Sequence, residues 1–233
     1  ENFPFNSNDY SVGHATVTKD GKRLYFVSDM PGGYGQTDLY LSENVNGQWQ
    51  KPENLGQAIN TEGREMFPYV HEDGTLFFST DGRAGLGGLD LYFTVPAMDA
   101  YFEPQSLGYP INSNFDEFGF ALNNDLKTGY FSSNRAGGKG KDDIYFSKWD
   151  GKFYNKPVSL DSTINSTGYE FNAFVSPNED YLIYTAYARK DGLGSGDLYI
   201  SFKDKKGNWQ QAKNMGTTVN SAFMDYCPFV AAD

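Results

Sequence analysis

The sequence predicts an all-β chain made of four copies of one four-stranded antiparallel unit. Three observations carry that reading. The stretches GQTDLY, GGLDLY, GKDDIY and GSGDLY end at Tyr40, Tyr92, Tyr145 and Tyr199, and their aspartates Asp38, Asp90, Asp143 and Asp197 stand 52, 53 and 54 residues apart. A fixed period of this size marks units that cannot bury an apolar face alone. Each unit holds four short apolar segments bounded by turn residues, and no 3.6-residue apolar period persists over a helical length.

The second unit shows the elements in order. Phe67 to Val70 is the first strand and Leu76 to Ser79 the second, joined by His71-Glu72-Asp73-Gly74. Asp-Gly supplies the positive φ angles that a tight hairpin needs. Leu91 to Thr94 is the third strand, reached through a loop whose glycines let it fold back. The fourth strand is expected from Phe102 to Leu107. Elsewhere the second strand recurs at Leu24–Ser28, Gly129–Ser133 and Tyr181–Thr185. The fourth carries an aromatic at Trp49, Phe102, Phe153 and Trp209, then Leu55, Leu107, Leu160 and Met215, and closes on Ile59-Asn60, Ile111-Asn112, Ile164-Asn165 and Val219-Asn220.

Four antiparallel strands per unit at a period near 50 fit a β-propeller, which stacks such sheets radially and protects their edges. The units run over about 7–60, 61–112, 113–165 and 166–220 of a single domain, 1–233. Glu1-Asn2-Phe3 matches Glu53-Asn54-Leu55, and Cys227-Pro228-Phe229-Val230 repeats a first strand, with Asp233 where the Asp of Asp73-Gly74 falls. The expectation is four complete units with partial blades at 1–6 and 221–233.

Composition limits the function classes. Aromatics at 17% favour strands. A net charge of −11 opposes a nucleic-acid partner. No apolar run is long enough for a membrane-spanning helix, and the single cysteine, Cys227, makes no internal disulfide.

The pattern of Asp-Gly, then Leu-Tyr-Phe-x-Ser, then Gly-x-x-Asp-[Leu/Ile]-Tyr resembles the TolB-type, WD-like propeller repeat of bacterial envelope proteins. Over about residues 1–147 the likeness is more specific. Ser11-Val-Gly-His14, Ser28-Asp-Met-Pro-Gly-Gly-Tyr-Gly35, Glu65-Met-Phe-Pro68 and Gly129-Tyr-Phe-Ser-Ser-Asn-Arg-Ala-Gly-Gly138 are similar to the propeller of PorE-like, OmpA-family lipoproteins. The fourth unit, with Glu170-Phe-Asn-Ala-Phe-Val175, is more similar to stand-alone TolB-type propellers. The resemblance implies a periplasmic, outer-membrane-associated protein serving the type IX secretion system. Any contact with peptidoglycan would come through a flanking OmpA-like domain that this sequence does not contain.

Three recurrent sets are candidate site residues. Asp38, Asp90, Asp143 and Asp197 are expected to accept amide hydrogen bonds from their own Gly-rich loops; as metal ligands they would be one per blade and too far apart to share an ion. Glu65, Glu117, Glu170 and Asp225 stand five residues before the Val or Leu of each first strand, with Val12 breaking the pattern. They would form an acidic ring at one channel mouth, or else pair locally with a backbone amide or an arginine. Arg83, Arg135 and Arg189 share loops with Asp29, Asp81 or Asn134, as within-blade Arg–Asp pairs or as a partner-facing rim.

Catalytic constellations are scarce. His14 and His71 are the only histidines and no G-x-S-x-G elbow occurs; no catalytic residue, metal ligand or cofactor site is assigned. Cys227 aligns with Phe67 and reads as a small core hydrophobe. The leading expectation is a non-enzymatic binding and scaffolding propeller whose partners are cell-envelope proteins. The alternatives are a glycosidase or peptidase-like enzyme using channel carboxylates, and a calcium-stabilised structural propeller.

Overall fold

The computed structural model describes residues 5–98, 100–123 and 127–230. It is an all-β propeller with four blades, and no helix occurs among the described residues. Blade 1 holds Val12–Val17, Arg23–Ser28, Asp38–Val45 and Glu53–Asn54. Blade 2 holds Glu65–Val70, Leu76–Thr80, Asp90–Thr94 and Gln105–Ser106. Blade 3 holds Glu117–Leu122, Thr128–Ser133, Asp143–Lys148 and Val158–Ser159. Blade 4 holds Tyr169–Val175, Tyr181–Tyr187, Asp197–Phe202 and Lys213–Asn214. Within each blade the four strands pair in chain order.

Alternation along the second and third strands sends side chains to both faces of every sheet, so each blade buries two faces against its neighbours. Tyr25, Leu39 and Ile59 of blade 1 pack on Val70, Leu76 and Phe78 of blade 2. Phe77, Leu91 and Ile111 pack on Phe120, Leu122 and Phe131, and Tyr130, Ile144 and Ile164 on Val175, Leu182 and Tyr184. At about 1.5–3 kcal/mol for each fully buried side chain, these interblade layers drive the assembly.

The fourth strands are shorter than expected. Only Gln105–Ser106 of the span Phe102 to Leu107 is strand, and Phe102 and Phe153 are exposed, whereas Trp49 and Trp209 pack against core clusters. Blade 2 departs because Pro96–Ala97 and Ala100–Tyr101 form a separate two-stranded ribbon that carries the chain away from the blade.

Residues 221–230 follow blade 4 as an inner segment. The Asp225 amide donates to the Gly196 carbonyl (2.8 Å), as Glu65 does to Thr37, Glu117 to Leu89 and Glu170 to Asp142. Five inner segments thus surround the channel. Glu1-Asn2-Phe3 and Asp233 lie outside the described residues.

Candidate functional site

Each first strand carries a bulge: its register with the second strand shifts between Gly13 and Thr16, Met66 and Tyr69, Phe118 and Ala121, and Phe171 and Phe174. At the bulge a residue takes the left-handed conformation, His14 (φ 52), Phe67 (φ 53), Gly119 (φ 65) and Asn172 (φ 53), with Cys227 (φ 52) equivalent in the fifth segment. Four of the five bear a Cβ there, at a cost of about 1–2 kcal/mol each. A repeated strain of this kind re-aims side chains, here into the channel.

The re-aimed side chains plug the axis. His14 stacks on Phe67 with centroids 4.0 Å apart, and Tyr226 meets His14 edge-on at 5.6 Å. Phe67 continues to Phe118 at 5.2 Å, and Asn172 Nδ2 lies 3.0 Å from Cys227 Sγ. The remaining cavity is about 70 Å³, and no Asp or Glu lines it. That is room for a few waters and far below the 300–1,000 Å³ of a ligand pocket. Burial lowers the His14 pKa to about 4, so its imidazole is neutral near pH 7. Its Nδ1 accepts the Phe67 amide at 3.4 Å. Burial pushes the Cys227 thiol up, away from the reactive thiolate.

Of the two arrangements expected for the recurrent acids, the structure has local pairing with amides, hydroxyls and arginines. Glu65, Glu117 and Glu170 are fully buried. Glu65 accepts the Thr61 amide (2.8 Å) and hydroxyl (2.6 Å), and the Thr80 hydroxyl (2.7 Å). Glu117 accepts the Ser113 amide and hydroxyl and the Ser133 hydroxyl, and pairs with Arg135 at 2.9 Å. Glu170 repeats this with Ser166 and Arg189. Asp225 accepts the Ser221 amide at 2.6 Å and its hydroxyl at 3.1 Å. Burial raises the pKa of Glu65 and Glu170. The sequence carries a signal for these clamps: a Ser or Thr stands four residues before every one of the acids.

The arginines are neither paired with the aspartates of their loops nor a partner-facing rim. Arg83, Arg135 and Arg189 are nearly buried. Each reaches back across the blade boundary to the linker of the preceding blade: Arg83 to Ile59 O, Arg135 to Ile111 O and Arg189 to Ile164 O. Arg135 lies over the Phe131 and Tyr145 rings at 5.1 and 5.3 Å, and Arg189 over Tyr199 at 4.8 Å. Arg83 also meets Glu103 at 2.7 Å. Asp81 holds Arg64 through its amide and its guanidinium, Asp29 accepts the Ser11 amide, and Asn134 accepts the Asp116 amide. Each of these three pins the chain entering a first strand.

Asp38, Asp90, Asp143 and Asp197 accept the loop amides of Tyr34 and Gly35, Leu86 and Gly87, Lys139 and Gly140, and Leu193 and Gly194. A fourth set has no role assigned in the sequence reading. The closing asparagines Asn60, Asn112, Asn165 and Asn220 each accept from one backbone amide and donate to the carbonyl of the same residue, Leu39, Leu91, Ile144 and Leu198 respectively, at 2.8–3.0 Å. The side-chain amide thereby pairs with the third strand as a peptide group would. Among the described residues no three His, Cys, Asp or Glu are grouped to hold a metal ion.

A second region is open. Between blades 2 and 3, away from the axis, a groove of about 810 Å³ is lined by Phe93, Tyr109, Trp149, Phe153 and Tyr154, with Lys152 among them. Tyr109, Trp149 and Phe153 are exposed, Trp149 and Tyr154 meet at 5.1 Å, and Lys152 Nζ sits 5.1 Å over Phe153.

Plugged axis and loop clamps together define a four-bladed member of the propeller class. Its fold is shared with the TolB-type protein of Agrobacterium tumefaciens, at a TM-score of 0.55 and 16% identity over 86% of this chain and 63% of that one. It is also similar to an α-L-arabinofuranosidase from Lactobacillus brevis, with TM-score 0.51 and 11% identity over 86% of this chain and 70% of that one. A puromycin hydrolase gives 0.53 and 14% over 89% of this chain and 29% of that one. The chain thus spans less than two thirds of the TolB-type structure and of the puromycin hydrolase. No family model and no curated protein sequence matches the chain.

Proposed function

We propose that the chain is a non-enzymatic binding module of the bacterial cell envelope, taking a protein partner in the aromatic groove between blades 2 and 3. The groove carries the reading: it presents rigid aromatic side chains of the kind that anchors protein interfaces, beside Lys152 on a strongly acidic protein. Its charge favours a partner segment with acidic residues near an apolar one. The TolB-type fold and the PorE-like motifs of the first three units support a periplasmic, outer-membrane-associated setting within a type IX secretion assembly.

The enzymatic alternative draws on the hydrolases that share the fold. A glycosidase needs two carboxylates roughly 5–10 Å apart facing one pocket. Of the recurrent acids, Glu65, Glu117 and Glu170 are buried, and all four are committed to hydroxyls, amides or arginines.

Photo-crosslinking from position 153 in cells tests the proposal, with position 51, exposed in blade 1, as control. The expected result is one discrete protein adduct from 153 alone, lost on Trp149→Ser. Equal adducts from both positions, or none, would remove the groove as the binding site. Turnover of an oligosaccharide or a peptide by the purified chain would overturn the non-enzymatic reading.

A further inference from the structure

At three blade junctions the same four positions are covered, and at a fourth they are not. Ile59, Ile111 and Ile164 close the linkers after blades 1, 2 and 3 and are at most 1% exposed, but Val219, their counterpart after blade 4, is 44% exposed. Leu39, Leu91 and Ile144 are fully buried, whereas Leu198 is partly open. Val70, Leu122 and Val175 are buried, whereas Val230 is 40% exposed. Glu65, Glu117 and Glu170 are buried, whereas Asp225 is partly open. Phe229 is exposed beside them, although it meets Phe174 edge-on at 6.3 Å.

The polar clamps are unfinished at the same place. Glu65 and Glu117 each take a hydroxyl from the end of their own second strand, and Glu117 and Glu170 each take an arginine from the loop that follows. Asp225 has the hydroxyl and amide of Ser221. On the blade 1 side, Asn6 aligns with the four closing asparagines; they are buried on a third strand, and Asn6 is exposed. Phe5, which aligns with Ile59, packs against the Leu24, Phe26 and Tyr40 face of blade 1. Tyr226 places the 221–230 segment beside His14 of blade 1, so Asp225 on one side and Asn6 on the other leave an unmatched set of clamps at one junction, and that junction is a slot.

The geometry points to this slot as a docking site for a β-hairpin that supplies the second and third strands of a fifth blade. The clamps state the chemistry of the occupant. Its first strand is apolar on both faces and ends in Ser or Thr, whose hydroxyl reaches Asp225. An arginine two residues later reaches the Val219 carbonyl, as Arg135 reaches Ile111. After a Gly-rich loop, its second strand begins with Asp-Leu or Asp-Ile, whose backbone pairs with the Asn6 side chain as Ile144 pairs with Asn165. This surface is separate from the aromatic groove, and the inference does not rest on the function proposed above.

A synthetic hairpin of residues 128–148, which carries Ser133, Arg135, Asp143 and Ile144, tests the site on the full chain. Saturable binding is expected, with slowed amide exchange over 226–230. Affinity should fall about tenfold or more for the Arg135→Glu peptide and for the Asp225→Lys chain. Val219→Asp in the chain should abolish binding; because Val219 is already half exposed, circular dichroism should show this variant folded. Binding insensitive to all three changes, or absence of binding by the folded wild-type chain, would overturn the proposal. So would a dimer, seen by sedimentation, that the peptide does not disperse, because a second copy would then own the slot.

Discussion

The loop end of the blades and their outer end are built on opposite principles. At the loop end the same contacts occur blade after blade: a buried acid on a Ser or Thr in blades 2 to 4, an asparagine on a third-strand backbone, an aspartate on two loop amides. At the outer end each blade differs. Blade 1 folds Gln48–Trp49 back on its third strand, blade 2 throws out a ribbon, and blade 3 leaves Trp149 and Phe153 at an open groove. Repeated side chains hold a repeated backbone, so they are poor markers of a site that occurs once. The single, unlike surface is the one on which the proposed binding role rests.

The largest effect that would test this contrast is at the loop end. Arg135→Glu places a second carboxylate against fully buried Glu117 and strips the Ile111 carbonyl of its donor, and should cost roughly 3–5 kcal/mol. Denaturant unfolding reads it. A loss below about 1 kcal/mol would favour the partner-facing rim, one of the two roles expected for Arg135 from the sequence.

Asn112→Ala should cost about 1–3 kcal/mol, since it leaves the Leu91 amide buried without its acceptor while the Leu91 carbonyl keeps the Leu107 amide. Asn6→Ala, at an exposed equivalent, should change stability by under about 0.5 kcal/mol. Equal effects at the two positions would show that the side-chain clamp is not what matters.

Asp142 offers a pH test. Burial, helped by the charges of Asp116, Asp143 and Glu170, raises its pKa to about 6 from 3.8. Between those values the folded chain holds a proton that the unfolded chain has released, so its contribution to stability falls as pH rises through that window. It stays low above the window. Asp142→Asn should therefore stabilise the chain at pH 7.5, on the order of 1 kcal/mol since the group is partly solvated. The gain should vanish by about pH 4. A gain that is the same at both pH values would exclude titration as its cause.

The smallest stability effect belongs to the outer end. Phe153→Ser should change unfolding free energy by under about 0.5 kcal/mol while weakening capture of a partner by the purified chain. A large melting-temperature loss would instead place Phe153 in the core, as its alignment with Trp49 and Trp209 implied.

Strands, hairpins and loop aspartates were legible because their causes are local: alternation, Asp-Gly turns and an aspartate a few residues from the amides it binds. The arginines were not, because Arg135 and Ile111 are distant in sequence and meet only when blades stack. Glu117 was half legible: pairing with an amide or an arginine was one of its two expectations, but the hydroxyl four residues earlier, which also binds the carboxylate, has no counterpart in that reading. The aromatic plug left almost no trace, since His14, Phe67, Gly119, Asn172 and Cys227 share a backbone conformation and no side-chain chemistry. Gly119 is of a type that advertises a positive φ, and Asn172 and His14 are of types that tolerate one, whereas Phe67 and Cys227 give no sign of it.

The arginine contacts all run one way: a later blade grips the linker left by an earlier one, never the reverse. Blade 1 has Val12 where the others carry an acid, and Met30-Pro31 stands in its loop instead of an arginine. During synthesis, then, each of blades 2 to 4 finds the carbonyl it must hold already made. The ring carries a direction of assembly matched to the order of translation. Pulse proteolysis of nested chains ending at 112, 165 and 220 should find blade 2 already latched to blade 1 in the shortest of them.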